Sequence, residues 1–506
     1  MKVTHARDLL AASLLVGVFW SPLFSSAVAQ ETSVTTYHGD ANRSGHYVAP
    51  GLTWDRARHV HVDANFHTQI AGHVYAQPLY WHPSGSAFGL LMVATEDNVV
   101  YALNAETGAE VWKRSLGPPA PRAALSCGNI DPLGITGTPA IDPTSQALYL
   151  DAVTMGSGSF GPQHLIYGLS LRDGSVLPGW PINVADALRS DGLSFISRDQ
   201  SERGALLVQG GMVYVPYGGH WGDCGQYHGW VVGVDLRDPK KAHSWSTQAR
   251  AGGIWAQGGV VSDGQSLFVT TGNTMGARTW GDGEAIIRLS PALATSSQPR
   301  DFFAPSDWQR LDGRDADLGG VAPMPLDLRT NAGVSPVILA LGKDGKAYVA
   351  DRTTLGGIGG QLASQLVTDG QIFAAAAVWP TSDGGMVAFH GIGSSCPAAK
   401  TGEGVVAIGI TAGTPPKIRT VWCASLDGAG APIVTTSDDH SDPIVWIAGA
   451  EGDNRLHGFR GDTGEEIFTG GGPSNAMRGL RHFGTILAAN NRLYIAADGR
   501  VYAFTY

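Results

Sequence analysis

The sequence predicts an all-β chain, an eight-bladed β-propeller of four-stranded antiparallel blades whose ring is closed by an N-terminal strand. Three observations point there: a hairpin that recurs along the chain, a diffuse excess of turn formers, and no sustained helical periodicity after the first thirty residues. The clearest copy of the hairpin is YALNAETGAEVW, Tyr101 to Trp112. It reads as a blade's inner hairpin, with apolar alternation into a Thr-Gly turn and then a tryptophan.

The N-terminus, MKVTHARDLLAASLLVGVFWSPLFSSAVAQ, carries Lys2 and Arg7 ahead of an apolar run, then Ala27-Val28-Ala29 before Gln30. This is the pattern of a secretory signal, so residues 1–29 are set aside and 30–506 form one propeller domain. Pro22 and the small-residue site argue against an uncleaved anchor, and no later segment is apolar enough to span a bilayer. The mature chain is expected to be exported, to the periplasm or beyond.

RLHGFRGDTGEEIF (455–468) repeats the layout, and LIYGLSLRDGSVLPGW (165–180) and WVVGVDLRDPKKAHSW (230–245) are weaker copies. EAIIRLSP, KAYVADRTTLGG, GVVAIGITAG and the terminal RVYAFTY play the same part. That makes eight copies roughly 45 to 66 residues apart, a spacing that suits one four-stranded blade. Radially packed sheets bury one another's faces and leave only short edges, which favours a ring. RVYAFTY ends the chain without an outer strand, and HVHVDANFHT (59–68) can supply it. Tyr101, Trp112, Trp180, Trp245 and Phe468 are then packing residues.

The composition agrees. In 506 residues, 69 are glycine and 28 proline, spread throughout, which suits many short strands and turns. Net charge is −10 with no basic tract, so nucleic acid is not a partner. The four cysteines, Cys127, Cys224, Cys396 and Cys423, allow three disulfide pairings; Cys396 with Cys423 is favoured because both fall in one repeat.

The repeat resembles the tryptophan-bearing repeat of quinoprotein propellers, the alcohol dehydrogenase-like superfamily that binds pyrroloquinoline quinone (PQQ). Non-enzymatic propellers, including an outer-membrane assembly scaffold, carry similar repeats. AGGIWAQGGVVSDGQSLFVTTGN (251–273) is similar to the dehydrogenase segment whose tryptophan floors the quinone and whose TGN turn gives calcium an amide ligand. The matching residues are Trp255 and Asn273. An indole face suits a flat quinone, and calcium takes oxygen ligands. Core packing for Trp255 and a left-handed turn for Asn273 are the plainer readings.

In RDADLGG (314–320) the resemblance gives Asp317 the role of the base that takes the hydroxyl proton, with Asp315 beside it and Asp317 near the calcium. In LGKDGKAYVADR (341–352) Lys343 matches the basic residue near the quinone oxygens. Asp315 and Asp317 also suit a loop cap, and Lys343 an ordinary turn lysine.

The chain departs from the family pattern too. HWGDCGQYHGWVVGVD (220–235) lacks the family's calcium-binding glutamate; Asp223 or Cys224 stands there. The adjacent cysteines of many alcohol-oxidising members are missing, as is any CxxCH haem motif, so electrons would leave to a separate acceptor. His220 and His228 in this segment fit loop histidines better than metal ligands, and no nucleophile elbow, phosphate loop or HExxH helix occurs. Two readings follow: an exported PQQ- and calcium-dependent oxidoreductase acting on a small hydroxyl substrate, or a propeller that binds partners in envelope assembly.

Overall fold

The protein is described from a computed structural model, which defines residues 1, 33–156, 161–189, 192, 194–296, 298–330, 333–392, 396–397, 403–472 and 475–506. The expected secretory signal lies outside them apart from Met1. Among the described residues the strands group into eight sheets, one per blade. Blade 1 runs Leu79–Trp81, Leu90–Ala94, Val99–Asn104, Glu110–Ser115 from axis to rim, and blade 8 runs Ile486–Ala489, Arg492–Ala497, Arg500–Thr505.

His61–Val62 completes blade 8 by pairing antiparallel with the last strand, His61 opposite Thr505 and Val62 opposite Phe504. The predicted closure therefore holds. One placement is corrected: YALNAETGAEVW forms the third and fourth strands of its blade, the outer hairpin and not the inner one. The reason is burial. The axial strand needs both faces covered, whereas Glu110–Ser115 alternates exposed and buried residues at the rim.

The structure also explains why a glycine turn and a tryptophan recur together. The Trp112 indole N–H donates to the Leu171 carbonyl of blade 2 at 3.0 Å. A Cβ at Gly174, in that blade's turn, would come within 2.7 Å of the Trp112 ring. Blade 7 treats blade 6 alike: Trp422 donates to Gly461 O at 2.8 Å, and a Cβ at Gly464 would lie 2.5 Å from its ring. Each turn glycine has positive φ and seats the tryptophan of the blade before it.

A second device recurs at the turns between second and third strands. Glu96 of blade 1 accepts from the Gly134 N–H on the way into blade 2, at 2.6 Å. Glu284 of blade 4 accepts from Leu318 N–H on entry to blade 5, at 2.7 Å, and Asp498 of blade 8 from Val74 N–H, at 3.2 Å. A carboxylate, fully buried in Glu96 and Glu284 and half-buried in Asp498, thus satisfies a loop amide and ties neighbouring blades together.

The segment after residue 32 crosses the ring. Thr35 O accepts from Ile141 of blade 2, and Ser44 O from Val378 of blade 6, the blade opposite. Chain bonded to axial strands on opposite sides can only lie across the central channel. His46–Val48 then pairs parallel with the axial strand of blade 7, Ile433–Thr436. Arg43 pins the crossing by donating to Gly258, Leu206 and Val260 carbonyls at 3.0, 2.9 and 2.8 Å.

Both disulfides of one possible pairing form: Cys396–Cys423 within blade 6, as favoured, and Cys127–Cys224 between the loops before blade 2 and inside blade 3. No helix among the described residues is long and apolar enough to cross a membrane.

Candidate functional site

Four loops meet beside the axis. Trp255 lies between the last strand of blade 3, Ala242–Ser246, and the first of blade 4, Val261–Ser262. Asn273 follows the second strand of blade 4, Leu267–Thr271. Asp317 precedes the short helix Leu318–Gly320 that leads into blade 5, and Lys343 follows that blade's second strand, Gly333–Leu341.

Trp255, Asn273, Asp317 and Lys343 converge. Lys343 Nζ lies 2.8 Å from Asp317 Oδ2, 3.2 Å from Asp315 Oδ1 and 5.0 Å from the centre of the Trp255 ring. Asn273 donates its backbone N–H to Asp317 Oδ1 and its side-chain amide to Asp315 Oδ1, each at 3.0 Å. Gly272 makes this packing possible: a Cβ there would stand 3.0 Å from Trp255 Nε1 and 3.3 Å from the Asp317 carboxyl carbon. Asn273 and Asp317 are buried, Trp255 is half-buried, and the Asp315 side chain is exposed.

The electrostatics follow from that burial. Desolvation pushes the Asp317 carboxyl above its ordinary range, against the pull of Lys343. For Lys343 burial works downward, but Asp317 and Asp315 outweigh it and hold the ammonium above its ordinary value. Glu284, which braces Leu318 N–H, is raised far more, by burial and then by the nearby Asp317.

Two participants escaped the sequence. Arg203, in the loop ahead of blade 3, holds its guanidinium 5.8 Å from the Trp255 ring centre and donates to Gly219 O at 3.1 Å. Its Nε is buried without a partner. QSERGALL offers no periodicity or spacing that marks this arginine. Glu284 could have been found by analogy with Glu96, since both carboxylates follow the second strand of a blade.

The expected metal ligands fare differently. Asn273 and Asp317 adjoin, but Asp223 accepts from the Tyr227 hydroxyl at 2.6 Å, and its carbonyl takes a hydrogen bond from Arg250. Asp223 and Asp317 both lie within electrostatic reach of Arg203. Among the described residues no group of three or more His, Cys, Asp or Glu side chains is placed to hold a metal ion. A calcium ion needs six or more oxygens, and a guanidinium faces the carboxylates meant to supply them. The residues do not fit calcium. His220 and His228 bond the Arg198 and Thr247 carbonyls, as loop histidines do.

Beside Arg203 lies a small cavity of about 50 Å³, lined also by Tyr37, Tyr75, Thr136, Gln257 and Phe483. Tyr37 Oη and Gln257 Oε1 are buried there with no partner, like Arg203 Nε.

Comparison with family models and with curated proteins gives no match. Solved structures do match in fold. The quinohemoprotein alcohol dehydrogenase of Comamonas testosteroni superposes with TM-score 0.64 and 14% identity, over 93% of this chain and 80% of the enzyme. The fold is that of the quinoprotein dehydrogenases. A europium-containing methanol dehydrogenase follows at TM-score 0.59 and 14% identity, over 92% of this chain and 89% of that one. BamB of Moraxella catarrhalis, at TM-score 0.51 and 14% identity, aligns over 88% of this chain and all of its own. At such identity the likeness is one of fold.

Proposed function

We propose that the chain is an exported oxidoreductase of the quinoprotein type, which binds PQQ against Trp255 and oxidises a small hydroxyl substrate. The convergence of Trp255, Asn273, Asp317 and Lys343 carries this reading. PQQ is flat and polyanionic. The half-buried Trp255 ring, with Lys343 and Arg203 over it and an unpartnered Arg203 Nε, suits such a group. The dehydrogenases that share the fold support it, and two disulfides suit an oxidising compartment.

Bound PQQ would supply a two-electron acceptor, re-oxidised by a separate electron carrier. The chain's own residues do the rest. Trp255 orients the ring plane, and Lys343 sets a positive charge where anionic oxygens lie. Asp317, ionised beside Lys343, takes the proton of the substrate hydroxyl. Asn273 holds Asp317 by a backbone N–H, and Glu284 fixes the following peptide.

Purified protein given PQQ should show quenched tryptophan fluorescence and alcohol-dependent reduction of an artificial acceptor, and Trp255→Leu should lose both. Absence of PQQ uptake by the unaltered protein would sink the reading.

One observation favours a second reading. Asp317 is already ion-paired to Lys343, a closed network that a scaffold could keep for stability. A binding propeller in envelope assembly predicts no PQQ uptake and capture of a protein partner instead.

A further inference from the structure

The residues expected to hold a divalent cation face a cation that the chain itself supplies. Asp223 belongs to a loop of blade 3, and Asp317 to the entry of blade 5. The Arg203 guanidinium is within electrostatic reach of both, 5.8 Å from the Trp255 ring centre. It is anchored to Gly219 O by one nitrogen, while Nε is shielded from solvent and unpartnered. A buried N–H on a guanidinium is costly to leave unmade, so a ligand group is the natural partner.

We infer that Arg203 replaces the divalent cation of this site, so that a planar anionic ligand seats on Trp255 without calcium. The geometry suits the exchange. A guanidinium is planar and permanently charged, and it presents several N–H donors to carboxylate or quinone oxygens, where a metal would need protein oxygens gathered around it. Asp317 spends both oxygens, one on Lys343 Nζ and one on the Asn273 backbone N–H. Asp223 is turned to Tyr227. The carboxylate oxygens of Asp317 and Asp223 are thus engaged by the chain's own donors, and a positive charge is already in place. Arg203 also lines the small cavity beside it, where Tyr37 and Gln257 keep unpartnered polar atoms.

The inference rests on PQQ being the ligand, as proposed above, and the test separates the two. The full-length mature protein is titrated with PQQ by tryptophan quenching, once in excess EDTA and once in excess calcium. Equal affinity in both is expected. Arg203→Ala should weaken binding in EDTA roughly tenfold or more, the loss of one charge-assisted contact, while Arg203→Lys should keep metal-independent binding. Melting temperatures establish that the variants fold; if Arg203→Ala does not, the EDTA comparison on unaltered protein decides alone. Binding only in calcium, or full-strength binding by folded Arg203→Ala in EDTA, overturns this inference and leaves the proposed function standing. No binding in either condition overturns the proposed function and this inference with it.

Discussion

Lys343 Nζ sits 2.8 Å from Asp317 Oδ2, and the same ammonium lies 5.0 Å from the Trp255 ring centre. One cation therefore serves a buried carboxylate and an aromatic face. Without it, burial at Asp317 would lose its strongest opponent and leave the Asn273 N–H to act alone against it. A ligand that draws on the lysine must also alter the acid, so binding and proton transfer are coupled through this contact.

Lys343→Met should expose that coupling. Asp317 is raised by burial and lowered by Lys343, so removing the lysine sends its carboxyl higher still. A base works ionised, so the acid limb of the alcohol-oxidation profile should move to higher pH. Initial rates across pH measure this. An unmoved limb with lower rates throughout would make Lys343 a binding residue only.

Arg43 offers a test of the axial crossing. Buried at 2% exposure, it donates to the Gly258, Leu206 and Val260 carbonyls, and to Tyr37 O at 3.3 Å. Arg43→Met fills similar space but strands these carbonyls, at a cost of about 3–5 kcal/mol. Denaturant unfolding measures it, and a loss under about 1 kcal/mol would mean that the segment is held by its strand pairing alone.

The fold was legible because blades repeat. The alternating strand recurs eight times, with a turn and a following aromatic in the clearest copies, and the last copy ends without the outer strand that His61–Val62 supplies. Trp255 and Asn273 were readable for a different reason, a fixed separation inside one contiguous segment. Arg203 was not, because its role arises only when a loop before blade 3 meets loops of blades 4 and 5. Asp223 stands apart for the converse reason. Its place in the chain matched a ligand's, but the side chain turns to Tyr227, four residues on, which no spacing rule anticipates.

Glu96 predicts a pH dependence of stability. Its carboxyl is fully buried and pushed up to about 7 from 4.5, chiefly by desolvation, with Gly134 N–H pulling the other way. An acid whose folded pKa is raised binds its proton more tightly when folded. Its contribution is complete below about pH 4.5 and is lost as pH rises through about 7. Glu96→Gln should remove this loss, so that the variant gains on the parent between those pH values, by at most about 3 kcal/mol. Chemical denaturation at pH 4.5, 6 and 8 would show it; a gap independent of pH would mean that the carboxyl stays ionised.

The two disulfides should separate stability from binding. Cys127–Cys224 closes 97 residues and Cys396–Cys423 closes 27. On loop entropy their removal costs about 4.7 and about 3.6 kcal/mol, so Cys127→Ser/Cys224→Ser should be the less stable double variant by about 1 kcal/mol. Location makes the larger difference. Cys127 adjoins Gly128, which with His220 and Arg203 lines a small cavity, so this bridge joins the loop before blade 2 to the wall around Arg203. Cys396–Cys423 lies in blade 6, away from Arg203. PQQ affinity should therefore fall in the first variant and hold in the second, each measured well below its own melting temperature. Equal effects on binding would place the cause in general loosening of the ring and not in the loop that the first bridge holds over Arg203.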